Sequence, residues 1–311
     1  MPHTPLRVVY AGTPSVAVPS LRALHADPAV DVVAVVTRPD APQGRKRILT
    51  PSPVAQVASE LGIETIAAAR LDDDATARIA ALEPDLGVIV AYGGLVREPL
   101  LSVPAHGWIN LHFSLLPRWR GAAPVQRALM AGDTVTGAAV FQLVPALDAG
   151  DVFSELTYAP GADETAGEVL EHLAVTGADL LCGTVRDIAS GTASAAPQTG
   201  EPTIAHKLSI DDGLLDFSLD ADSVLARYRG VTPEPGAHTT IDGARFKIHS
   251  ATRAEGVEPL SPGHLREHAD GVLVGTSTDA IVLQQVQPAG KARMAADDWF
   301  RGQREGVVLG S

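Results

Sequence analysis

Apolar runs alternate with amphipathic stretches through the first half of this chain, and that alternation restricts the fold more than any other feature. Leu6–Ala11 is a short apolar run that ends at Gly12-Thr13-Pro14. A helical pattern follows, with Val16, Leu21 and Leu24 on one side. Asp31–Thr37 (DVVAVVT) is nearly apolar throughout, as strands buried on both faces of a parallel sheet are. Val54, Val57 and Leu61 mark another helix. Leu86–Ala91 and Trp108–His112 read as further strands, with Val140–Val144 after them, and a long helix is predicted over roughly Thr165–Ile188. Such alternation implies a doubly wound, Rossmann-like α/β domain built on a parallel sheet with right-handed crossovers. It is assigned to residues 1–188.

The pattern then changes. Ala189–Ile204 (ASGTASAAPQTGEPTI) has neither a helical nor a strand period, so residues 189–205 read as an interdomain linker. In residues 206–311, Thr239–Ile241 and Ala244–Ile248 flank Asp242-Gly243, a hairpin signal. Gly271–Gly275 and Ala280–Val286 are short strands, which together suggest a small β-barrel or an open sheet. A length of 311 residues accommodates two such domains.

Composition enters as a filter. The net charge of −13 argues against a generic nucleic-acid binder, so any polyanionic partner must be held by local basic patches. A lone cysteine, Cys182, permits no internal disulfide and no four-cysteine zinc site, and no metal is expected. Met1–Arg7 leads straight into the first strand without the pattern of a signal peptide, and no apolar run approaches the roughly 20 residues of a spanning helix. A soluble, cytoplasmic protein without a membrane partner is expected, acting as a monomer. The first turn lacks GxGxxG, and Pro14 removes an N–H that a pyrophosphate would use, which speaks against a nicotinamide cofactor.

The chemistry concentrates in Trp108–Pro117. Period two puts Asn110 and His112 on one face of a strand, at the end where α/β folds place ligands. Asp148, after a later strand, can return to the same crevice. These side chains suit acyl transfer to an amine. An Asn amide and a His N–H can donate to the oxyanion, and His or Asp can relay the amine proton. Taken singly, the residues have a plainer reading: Asn110 and His112 as satisfied structural groups, and Asp148 as a turn residue before Gly150.

The whole run carries more. Asn110-Leu111-His112-Phe113-Ser114-Leu115-Leu116-Pro117 resembles the N-x-H-x-S-L-L-P motif of folate-dependent formyltransferases. Arg118-Trp119-Arg120-Gly121-Ala122-Ala123-Pro124, Ala11–Pro14, Pro51–Val54 and Gln287–Lys291 resemble the branch of that family acting on methionyl-tRNA. The resemblance spans essentially the whole chain. It implies Asn110, His112 and Asp148 as catalytic residues and 10-formyltetrahydrofolate as formyl donor. It also implies a folate-contacting loop at Ser114, Leu115, Leu116 and Pro117, with Ala91, Tyr92 and Gly93 at the pterin edge. The second domain is expected to be an OB-like β-barrel that binds tRNA, and the partner to be methionyl-initiator tRNA.

The basic segment Gly44–Leu49 contains Arg45, Lys46 and Arg47. By default it is a solvated loop; by resemblance it grips the tRNA acceptor end, with Arg45 as the main contact. Arg118 and Arg120 could meet the terminal phosphates or pair with surface carboxylates. From residue 201 onward 11 Lys+Arg face 16 Asp+Glu, a balance of −5, so RNA contacts there must form a patch. Lys207 is its leading candidate, with Arg245, Lys247, Lys291 and Arg293. The competing readings are a folate-dependent formyltransferase for a small amine (an amino-sugar nucleotide or glycinamide ribotide) and a non-catalytic nucleotide-binding α/β protein.

Overall fold

The computed structural model describes residues 4–44, 46–304 and 306–310. The chain divides into two compact units. The first holds residues up to Pro124, Thr136–Tyr158 and Leu170–Ala205; the second holds Val125–Val135, Ala159–Val169 and the chain from His206.

In the first unit the strands are β1 (Leu6–Gly12), β2 (Val30–Thr37), β3 (Ala41–Gln43), β4 (Ile48–Thr50), β5 (Thr65–Ala67), β6 (Leu86–Val90), β7 (Trp108–His112), β8 (Arg120–Gly121), β9 (Thr136–Gln142), β10 (Val152–Tyr158) and β11 (Ile204–Ala205). Helices α1 (Val18–Ala26), α2 (Pro53–Leu61) and α3 (Asp73–Ala81) connect the early strands. Local chemistry sets their ends. Ser52 and Asp72 accept hydrogen bonds from the backbone N–H groups of Ala55 and Ala75, at 3.0 and 3.1 Å, capping α2 and α3.

A seven-stranded sheet runs in the order β10-β9-β7-β6-β1-β2-β5. The strands from β7 to β5 in that order are parallel, so their C-terminal ends share one edge. The expected Rossmann-like sheet is parallel-dominated, with antiparallel strands on its other side. β9 runs antiparallel to β7, and β10 antiparallel to β9. The loop over residues 143–151 is a hairpin connection, too short for the crossover that a parallel neighbour needs. The strand read at Val140–Val144 is Thr136–Gln142.

The sheet core fixes β7 in place. Trp108 is fully buried, and its indole N–H donates to Leu100 O at 2.9 Å. Its ring lies flat over Gly87, where a Cβ would sit 2.1 Å from the ring. Only glycine allows that approach. The strand bearing Asn110 and His112 is thereby locked to β6.

The stretch after α5 (Ala166–Ser190, beyond α4 at Pro124–Met130) is bonded into the first unit. Ala196 exchanges backbone hydrogen bonds with Val152 at 2.8 and 2.9 Å, and β11 lies parallel to β8. Gly121 there has φ 121°, and a Cβ would meet Ala205 O at 2.7 Å.

In the second unit, β12 (His238–Ile241), β13 (Ala244–Arg253), β14 (Leu265–His268), β15 (Gly271–Gly275), β16 (Ala280–Gln287) and β17 (Met294–Ala295) make a six-stranded antiparallel sheet. Asp242 and Gly243, both at positive φ, turn the β12–β13 hairpin. Phe246 and Trp299, with ring centroids 4.6 Å apart, centre a core that includes Val274, Ile281 and Leu283. Helices α6 (Ala221–Gly230) and α7 (Ala296–Phe300) pack on the sheet. The strand order runs open from β12 to β14, so among the described residues the second unit is an antiparallel sheet domain without a closed barrel. No helix among the described residues is long and apolar enough to cross a membrane.

Candidate active site

β7 delivers Asn110 and His112 at the edge of the sheet where the parallel strands end. β9 lies on its other side, pairing Phe141 with Asn110 and Ala139 with His112. The β9–β10 loop then brings back Asp148. Its carboxylate Oδ2 lies 4.0 Å from His112 Nδ1, and the side chains are 12% and 6% exposed. That is charge-pairing distance, longer than a hydrogen bond. The same Oδ2 accepts the backbone N–H of Gly121 at 2.7 Å.

The other ring nitrogen of His112 is occupied. Nε2 lies 2.8 Å from Trp119 O. A carbonyl only accepts, so Nε2 carries the hydrogen and Nδ1 of the neutral ring is a free base facing Asp148. Burial lowers the pKa of His112, against the opposing pull of Asp148 and of the bond to Trp119. The imidazole is therefore neutral near pH 7 and able to take a proton at Nδ1. Phe141 presents its ring edge-on to it, with centroids 6.2 Å apart.

Asn110 is half-buried, and no hydrogen bond engages its amide among the described residues. Its N–H groups are thus available to a ligand oxygen. Backbone strain gathers around this edge: Ala91, Trp119 and Asp148 all have positive φ, at 47°, 61° and 45°. Left-handed backbone costs a non-glycine residue on the order of 1 kcal/mol, and such residues concentrate at functional sites.

The remaining candidates are placed as follows. Ser114 is fully buried, and its hydroxyl donates to Arg118 O at 2.7 Å, closing the loop internally. Leu115 is half-buried and Pro117 buried, while Leu116 packs on Ala139 and Phe141. Tyr92 turns its ring into the core and donates to Ala68 O at 2.9 Å, while Ala91 and Gly93 on either side of it are exposed. The Tyr92 carbonyl in turn accepts from Thr13 Oγ1 at 3.0 Å. Arg118 is exposed, with its guanidinium 5.5 Å from the Trp119 ring centroid. Arg120 donates from Nε and Nη2 to Gln198 Oε1, at 3.1 and 2.6 Å.

Lys46 and Arg47 are exposed in the turn between β3 and β4, beside the exposed side chains of Ile48 and Leu49. Arg45, expected as the main RNA contact, lies outside the described residues. Lys207 is exposed at the start of the second unit's main segment. Sequence reasoning missed the Trp119 carbonyl, the Gly121 N–H, Gln198 and Thr203. Only the Arg-Trp-Arg-Gly run hinted at the first two, because nothing in a sequence marks a backbone carbonyl as a ligand for histidine.

The family model described as formyl transferase matches residues 6–185, and the formyl transferase C-terminal domain model matches residues 207–304. A methionyl-tRNA formyltransferase of Clavibacter sepedonicus is 62% identical over 297 residues, covering 96% of this chain and 97% of its own. Another, of Leifsonia xyli subsp. xyli, is 60% identical over 304 residues, covering 98% of this chain and 100% of its own. Among solved structures, an N-formyltransferase of Helicobacter canadensis in complex with folinic acid and dTDP-3-aminofucose shares the fold. It gives a TM-score of 0.67 at 16% identity, over 91% of this chain and 99% of that one. On these matches over nearly its full length, the chain belongs to the methionyl-tRNA formyltransferase family.

Proposed function

We propose that Asn110, His112 and Asp148 carry the transfer of a formyl group from 10-formyltetrahydrofolate to the amino group of methionyl-initiator tRNA, and that the trio acts as follows. The observation that carries this reading is the buried His112–Asp148 pair beside the unengaged amide of Asn110. The donor supplies an electrophilic formyl carbon and a nitrogen leaving group. Asn110 donates to the formyl oxygen as it gains charge. An α-amino group has a reference pKa of about 7.7–8.0, so a useful fraction is neutral and nucleophilic at pH 7. As the new N–C bond forms, His112 takes the amine proton at Nδ1. Asp148, 4.0 Å away, stabilises the imidazolium. His112 then returns that proton to the leaving nitrogen as its bond to the formyl carbon breaks. No serine or cysteine nucleophile is required.

The folate is assigned to the edge lined by Ala91, Tyr92, Gly93 and the Ser114–Pro117 loop. Tyr92 serves through its backbone and Ser114 by holding the loop shape. Exposure and charge support Lys46 and Arg47 as the contact to the acceptor end of tRNA, and charge alone adds Arg45. Arg118 and Lys207 are assigned supporting contacts. Its bond to Gln198 makes Arg120 a weaker candidate for RNA than the exposed Lys46 and Lys207. Residues 1–188 are assigned as the catalytic domain, 189–205 as a segment attached to it, and 206–311 as the tRNA-binding domain. The antiparallel order and the irregular β13–β16 register support an OB-like arrangement there. A substrate bound for translation places the activity in the cytoplasm.

The test supplies 10-formyltetrahydrofolate with charged initiator tRNA, or instead with an amino-sugar nucleotide or glycinamide ribotide. Formylation of the tRNA alone is expected. Formylation of a small amine with no product on tRNA would reject the assigned acceptor.

A further inference from the structure

The stretch joining α5 to the second unit has the composition of a tether, yet its side chains hold the catalytic loop. Gln198 Nε2 donates to Asp148 O and to Gly150 O, both at 2.8 Å. Its Oε1 accepts both Nε and Nη2 of Arg120. Every hydrogen-bonding capacity of this amide is filled. Nearby, Thr203 Oγ1 accepts the backbone N–H of Trp119 at 2.9 Å, and Thr203 O accepts that of Arg120 at 2.9 Å. Trp119 is the residue whose carbonyl takes His112 Nε2.

Asp148 cannot hold this pose alone. Its backbone has positive φ in a loop between two strands, and among the described residues its carboxylate has one N–H donor, from Gly121. Gly121 is itself paired to Ala205 through β8 and β11. The loop bearing Asp148 is thus clamped from the far side by residues 198–205.

We propose that Gln198 is a positioning residue for catalysis, clamping the backbone of Asp148 and Gly150 so that the Asp148 carboxylate faces His112. The proposal rests on the reading of Asp148 and His112 given above. The hydrogen bonds of Gln198 go to the backbone of Asp148 and Gly150 and to Arg120, not to the Asp148 carboxylate or His112. A misplacement of about 1 Å in a catalytic group can cost roughly 100-fold in rate.

The test uses the full-length enzyme with Gln198→Ala and Gln198→Glu, each also combined with Asp148→Asn, in single-turnover and steady-state formylation of methionyl-tRNA. Gln198→Ala is expected to lower kcat about 10–100-fold while both KM values stay within about threefold. Gln198→Glu keeps the acceptor for Arg120 but turns an oxygen towards two carbonyls, so it is expected to fall at least as far. In the Asp148→Asn background, Gln198→Ala should add less than about twofold, because the residue it positions has already lost its charge. A variant that serves stability only would instead multiply its loss in full on top of Asp148→Asn. That result, or turnover within about threefold of wild type for both Gln198 variants, overturns the proposal. Wild-type turnover by Asp148→Asn would overturn the reading beneath it as well, which separates the two failures. Thermal unfolding of each variant identifies any that fails to fold, and Gln198→Glu then decides.

Discussion

Replacing Asp148 by Asn tests the electrostatic core of the mechanism with little change of shape. Asn is among the residues that best tolerate positive φ, so the turn at φ 45° survives. Its side-chain oxygen can still accept the Gly121 N–H. What is lost is a negative charge 4.0 Å from His112 Nδ1, between two nearly buried side chains. Coulomb attraction at that distance is worth about 4 kcal/mol at an effective dielectric constant of about 20. The attraction acts on the imidazolium and not on the neutral ring, so it is lost where His112 has taken the amine proton. At about 1.4 kcal/mol per tenfold, the chemical step should slow by about 1,000-fold. The assay is single-turnover formylation of charged initiator tRNA at saturating donor, with thermal unfolding as the control for folding. The pH dependence gives an independent sign. Burial already holds the pKa of His112 below its ordinary 6.5, and Asp148 opposes that shift. The base form is needed, so wild-type kcat/KM should fall on the acid side with an apparent pKa below 6.5. Without Asp148 the residual activity should lose its acid limb at still lower pH. A folded Asp148→Asn enzyme within about threefold of wild-type rate, or one whose acid limb moves up, would refute this reasoning.

Other perturbations address separate parts of the site. Asn110→Ala removes the unengaged donor and should lower kcat about 100–1,000-fold, measured alongside thermal unfolding to show the fold intact. Lys46→Ala with Arg47→Ala should weaken methionyl-tRNA binding while folate binding, followed by fluorescence titration, stays unchanged. The slope of log affinity against log salt should shrink by about one for each phosphate no longer neutralised. Cys182, whose thiol burial pushes up to about 11, should stay unmodified by a thiol reagent at pH 8 until the protein is unfolded.

The legible parts of this molecule are those where burial writes itself into composition. β1, β2, β6 and β7 are buried on both faces, so their apolar runs stand out, and the Asp242-Gly243 hairpin carries its own turn chemistry. β10 (VFSELTY) is a half-exposed strand at the sheet edge, and its mixed composition hides it. β9 is buried almost throughout and reads like its parallel neighbours, so nothing in its composition marks its reversal. Asn110 and His112 are legible through strand periodicity and the motif they share with a known family. Their partners are less so. The hydrogen on His112 is set by a carbonyl at Trp119, and the Asp148 loop by Gln198, a residue in a stretch whose composition resembles a flexible tether. Long-range hydrogen bonds to backbone leave no local pattern, so composition and geometry point in opposite directions there.

One rate measurement bears on the whole account: single-turnover formyl transfer to methionyl-initiator tRNA by folded His112→Ala enzyme. Loss of both the proton acceptor and the partner of Asp148 predicts a fall of at least about 100-fold in turnover with folate affinity retained. Transfer at close to the wild-type rate would mean that the amine proton leaves by another route, and the roles given to the trio would have to be abandoned.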